Sequence, residues 1–151
     1  MKLAEALMER ADLQKRIAQI NERMKANVRV QEGDEPAENV TALLVEYEEM
    51  TLAFVRLVNR INRTNVATSL GHITLAEAIT ARDAIKARAN TYQTLYQAAT
   101  LGRERYSRSE IKFVRCVDAK MLQNKADKLS KEHREFDAQI QAVNWTTDLL
   151  E

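Results

Sequence analysis

Apolar residues recur along this chain at steps of three and four, and they do so in four blocks. That spacing gathers them on one side of an α-helix, so the pattern predicts four amphipathic helices. The first covers residues 2–26, with Leu3, Ala6, Leu13, Ile17, Ile20 and Met24 on its stripe. The second, residues 37–68, is the most regular and reads Val40, Leu43, Tyr47, Met50, Phe54, Leu57, Ile61. Pro36 suits its first turn, after the acidic loop QEGDEP, because a missing N–H costs nothing there. The third opens at TLAE, where Thr74 and Glu77 make a capping box, and stops near Gly102. Its stripe is Leu75, Ala78, Arg82, Ile85, Ala89, Tyr92, Tyr96 and Ala99. The fourth follows Asp118 as N-cap, with Leu122, Ala126, Leu129, His133, Phe136, Ile140 and Val143 facing inward.

Two β-branched segments break this rhythm: NVRVQ (27–31) and IKFVRCV (111–117). Each lies at a helix junction, and together they predict a small two-strand ribbon where those junctions meet. Connections this short give an all-α fold, a long antiparallel up-down-up-down four-helix bundle with the ribbon at one end. Residues 1–151 are expected to form one domain.

Composition fits helices, with only three glycines and one proline in 151 residues. The net charge is +1, which argues against a bulk polyelectrolyte partner. The charges are uneven, since residues 56–115 are basic between acidic flanks. That asymmetry fits an anionic partner or packing of the middle against the flanks. A lone cysteine, Cys116, excludes an internal disulfide and suits a reducing compartment. No apolar run approaches the roughly 18 residues of a membrane span. The opening MKLAEALMER places acids where a signal peptide needs an apolar stretch. A cytoplasmic protein without a membrane span is therefore expected.

Two helices carry more apolar surface than one packed face uses. LAFVRLV (52–58) is apolar nearly all round, and ANTYQTLYQAATLG (89–102) has no charge. A helix with one solvated face alternates stripe and charge, as the first and fourth do. The second and third are thus expected to be covered on a further side, by self-association into a homo-oligomer.

Polar residues also occupy apolar stripes: Arg10, Arg82, His133 and, less strongly, Thr64. In the antiparallel bundle the heptapeptide NRINRTN (59–65) falls at the same end as all of these but His133. That end collects Arg10, Asn59, Asn62, Arg63, Asn65, Arg82, Asp83, Asp137, Asn144 and Trp145. A guanidinium on a core stripe needs a partner, and Asp83, Asp137, Glu5 and Glu9 are candidates. One reading is a buried network that sets helix register. The other is a pocket for a small anion or nucleotide, in which arginine forks grip phosphate or carboxylate. Its ligand-binding cluster comprises Arg10, Asn62, Arg63, Asn65, Arg82, Asp83, Asn144 and Trp145.

Other chemistry is sparse. His133 has Glu132 and Glu135 nearby but no second histidine or cysteine at ligand spacing, so no metal is expected. No phosphate-cradling glycine loop, nucleophile elbow or triad is present, so no catalytic residue or cofactor is assigned and the reading leans away from an enzyme. In RERYSRSEIKF (103–113), Arg103, Arg105, Arg108 and Lys112 around Tyr106 suit a nucleic-acid backbone with one stacked base. Glu104 and Glu110 interrupt that field, which favours a solvated or subunit-contacting loop over nucleic acid.

Five stretches in order, RADLQKRI (10–17), RVQEGDEPAE (29–38), INRTN (61–65), RYSRSEIKFV (105–114) and NWTTDL (144–149), resemble a bacterial family of small helical proteins. Some of its members bear the name septicolysin. The resemblance implies a helical fold over nearly the whole chain and brings no activity, cofactor or catalytic residue with it. The name implies a thiol-activated cytolysin, whose cysteine and tryptophans share one membrane-contacting loop. Here Cys116 is far in sequence from Trp145, the single tryptophan. The leading expectation is a non-enzymatic oligomeric protein acting through assembly or partner binding. The anion or nucleotide module, and a membrane-active protein, are the alternatives.

Overall fold

The structure, a computed structural model, describes residues 1–101 and 113–151. It is all-helical: α1 Leu3–Asn27, α2 Val40–Ala67, α3 Leu75–Thr100 and α4 Ala119–Thr146, with a ribbon of β1 Ser69–Leu70 and β2 Ile73–Thr74 between α2 and α3. Four helices with one tiny ribbon match the expected class. The predicted third-helix stop at Gly102 and the segment RERYSRSEIKF, apart from Phe113, lie outside the described residues.

Helix starts follow local chemistry. The backbone N–H of Lys2 donates to Oε2 of Glu5 at 2.6 Å, closing the first turn of α1. Asn39 caps α2 by accepting from the Ala42 N–H at 3.2 Å, so the helix begins at Val40 and Pro36 precedes it. A side-chain acceptor placed there outweighs the preference of Pro36 for a first turn. Asp118 caps α4 as expected, accepting from the Lys120 N–H at 2.9 Å.

The ribbon is real but sits elsewhere than NVRVQ and the described part of IKFVRCV suggest. Asn27 continues α1, donating from Nδ2 to the Arg23 carbonyl and accepting from the Glu38 N–H. Residues 28–39 then run through a tight turn at Gly33, whose φ of 94° suits glycine. Phe113 to Val117 form no strand. The pairing instead joins Ser69 to Thr74 and Leu70 to Ile73 around the loop Gly71-His72. Gly71, with φ 64°, fills the first loop position, which in two-residue hairpins of this twist selects glycine.

The chain forms two compact units: Met1–Ala76 with Gln141–Glu151, and Glu77–Ile140. In the first, α1 and α2 are antiparallel. Ile20, near the end of α1, packs with Leu43 and Met50 of early α2, and Ile17, Met24 and Tyr47 close around them. Arg23 of α1 pairs with Glu38 just ahead of α2. Leu3, Ile61 and Leu75 are fully buried in the same unit. In the second, Arg82 of early α3 reaches Asp137 of late α4. Ala78, Ala89, Ala119, Leu122, Ala126, Leu129 and Ile140 are its buried apolar residues among those described, all but Ile140 small or leucine.

Candidate functional site

The heptapeptide NRINRTN occupies the last turns of α2, and two of its residues have defined structural work. Thr64 is wholly buried. Its hydroxyl donates to the Arg60 carbonyl at 2.8 Å and accepts from the Leu150 N–H at 3.0 Å. Arg60 donates from Nε to the Leu150 carbonyl at 3.0 Å. The segment after α4 is thereby fastened to α2. Its other side is fastened to the start of α1: Leu3 N–H to Thr147 O at 2.9 Å, and Leu149 N–H to Met1 O at 3.0 Å. Lys2 adds an ion pair with Asp148 at 2.8 Å and a hydrogen bond to the Thr146 carbonyl. Hydrogen bonding to Lys2 and its charge hold the Asp148 carboxyl below its usual range. The result is a clasp of residues 147–150 between the two helices, with Leu149 turned inward. A threonine on a core stripe signals a backbone needing a partner, and this one is supplied from 86 residues away. Lys2, Arg60, Asp148 and Leu150 carry no such signal in the sequence.

Of the expected cluster, Arg10, Asn62, Arg63, Asn65, Asn144 and Trp145 belong to the first unit, Arg82 and Asp83 to the second. Asn62, Arg63 and Trp145 are exposed, Arg10 and Asn65 half-buried, and Asn144 is only 3% exposed. Among the described residues, Nε of Arg10 and Oδ1 of Asn144 are buried and meet no hydrogen-bond partner. Arg82, by contrast, is engaged. Its Nε and Nη2 donate to Oδ1 of Asp83 at 3.0 and 2.9 Å, and its Nη1 to Oδ1 of Asp137 at 2.9 Å. Burial alone would lower the Arg82 pKa, but these hydrogen bonds and the two negative charges raise it. Both carboxylates were among the partners its sequence position asked for.

A shallow groove of about 600 Å³ follows the α1–α2 seam, lined by Lys15, Arg16, Gln19, Glu22, Arg23 and Glu46 above Ile20 and Met50. Its charges are mixed, and Arg23 is committed to Glu38. His133 is half-buried on α4, and no group of three or more metal-ligating side chains occurs among the described residues.

The remaining conspicuous surface is apolar. On α2, Leu43, Met50, Leu57, Ile61 and Thr64 turn inward. Leu44, Val45, Leu52, Val55 and Val66 lie on the opposite side and are between 47% and 64% exposed. On α3, Leu95 is also half exposed within the charge-free stretch. Among the described residues, nothing covers this second face of α2.

Residues 10–149 match a group described as Family of unknown function (DUF6847). The chain belongs to this family. The bounds of the DUF6847 match coincide with the first residue of RADLQKRI and the last of NWTTDL. A crystal structure of a functionally unknown conserved protein from Corynebacterium diphtheriae is similar, with 45% identity, a TM-score of 0.91 and 99% of each chain covered. No curated protein shows significant similarity to the chain. Neither the DUF6847 match nor the structural neighbour carries the septicolysin name that the motifs suggest. Among the described residues, no helix is long and apolar enough to cross a membrane.

Proposed function

We propose that the protein works by assembly, as a non-enzymatic helical subunit that associates with itself through the outward face of α2. The observation that carries this reading is the row Leu44, Val45, Leu52, Val55 and Val66, opposite the buried stripe and about half exposed. Scattered apolar residues on a surface are ordinary, but a row along one helix face is characteristic of a contact surface. Sedimentation and light scattering across a concentration series test it. A mass above the 17.3 kDa of one chain is expected, with Leu52→Asp shifting the population to monomer. A wild-type protein monomeric throughout the series rejects the reading. Dye release from lipid vesicles is the rival outcome, because the name septicolysin implies membrane contact. The acids along α2 disfavour it, since interfacial helices present cationic polar faces.

A second reading, a small-anion module, is favoured by the partnerless Nε of Arg10. With Arg82 engaged by two carboxylates, Arg10 and Arg63 are the arginines of the cluster left to grip a ligand. Phosphate or a nucleotide should then raise the melting temperature, and Arg10→Gln should remove that rise. An unchanged melting temperature in wild type dismisses the module.

A further inference from the structure

The outward face of α2 is bordered by charge in an ordered way. The helix carries Glu46, Glu48 and Glu49 in its first half and Arg56, Arg60 and Arg63 in its second. Glu46 lines the seam with α1 and Arg60 is held by the Leu150 carbonyl, which leaves Glu48, Glu49, Arg56 and Arg63 to border the outward face. Glu48 and Arg56 are exposed, lie one turn either side of Leu52 on this same face, and make no ion pair with any described residue. The helix is therefore polar along its length, acidic then basic, with an apolar row between.

A second copy can meet such a face in two directions. Laid parallel, Glu48 faces Glu48 and Arg56 faces Arg56, and like charges beside an apolar contact are repulsive. Laid antiparallel, the acidic half of each copy faces the basic half of the other. We infer that α2 is the interface of an isologous homodimer in which two α2 helices pack antiparallel across a two-fold axis near Leu52. Glu48 then meets Arg56 of the second copy, and symmetry repeats the pair on the far side of the axis. Leu52 and Val55 form the apolar centre, with Leu44 and Val45 flanking it. In this register residues 40–64 of the two helices overlap, about 36 Å of contact at about 1.5 Å per residue. The antiparallel arrangement also sets the positive end of each helix dipole beside the negative end of the other.

The occupant is a second copy because the charge order complements itself. An unrelated partner would have no reason to require an acid and an arginine, Glu48 and Arg56, placed symmetrically about Leu52. This inference rests on the assembly reading and refines it, giving its direction and register.

Charge inversion tests it, with the dimer dissociation constant as the readout and circular dichroism confirming that each variant remains helical. Glu48→Arg and Arg56→Glu each convert two attractive contacts into repulsive ones and should each raise the dissociation constant about tenfold. The double variant Glu48→Arg with Arg56→Glu restores opposite charges across the axis and should return to within about twofold of wild type. In a parallel dimer, neither single inversion changes the sign of any facing pair. An oligomer whose stability is unmoved by both single inversions, or that the double variant fails to restore, overturns the antiparallel pairing and leaves assembly through other contacts standing. A wild-type chain that stays monomeric overturns both.

Discussion

Thr64 shows what one hydroxyl does when it bridges two distant backbones. As donor it satisfies a carbonyl in its own helix; as acceptor it receives the Leu150 N–H from the clasp. Thr64→Val keeps the shape and removes both bonds, leaving a part-buried N–H without a partner. Loss of about 1–3 kcal/mol is expected in urea unfolding, and Thr64→Ser, which keeps the hydroxyl, should lose less. A Val variant as stable as wild type would assign the clasp to apolar contact alone. The stripe position of Thr64 was visible in the sequence, as was the need of Arg82 for carboxylates. What could not be read is the partner of Thr64, because a backbone N–H has no side-chain identity to advertise it. Asn144 is similar: its burial follows from the structure, while its place in the sequence, beside an exposed Trp145, gives no hint of it.

At the scale of elements, the helices were legible because apolar spacing is set by one physical constraint, the burial of a single face. Leu43, Met50, Leu57 and Ile61 follow from it directly. β-branched composition points to the wrong place for the ribbon because turn chemistry decides it. Asn27 and Gly33 make residues 28–39 a tethered turn, whereas Gly71 makes LGHI a hairpin. The α1–α2 hairpin is held near that turn by Arg23, which grips both carboxylate oxygens of Glu38. Hydrogen bonding to Arg23 lowers the Glu38 pKa, and the same bond raises that of Arg23. A depressed carboxylate stabilises the fold above its unfolded value, about 4.3 for glutamate, and loses that contribution as pH falls through the lower folded value. Wild type should therefore melt above Glu38→Gln at neutral pH, with the gap closing on acidification below about pH 4. A gap that is constant down to strongly acid pH would mean the pair contributes through packing rather than charge. Asp148, lowered by Lys2, should follow the same course in the clasp.

At the scale of the whole molecule, the clasp joins groups 144 positions apart, such as Lys2 and the Thr146 carbonyl. Few contacts in a helical protein span so much sequence, and contacts of this kind form late because the intervening chain must first be organised. During synthesis, α1 and α2 emerge early and can zip together through Ile20, Leu43 and Met50. Until residues 147–150 have left the ribosome, however, the Leu3 N–H and the Thr64 hydroxyl lack the partners they find there, while the outer face of α2 is already open. For that interval the nascent hairpin exposes an apolar helix face beside unpaired polar groups, and it is then that chaperones would have most to hold and neighbouring nascent chains most to mispair with.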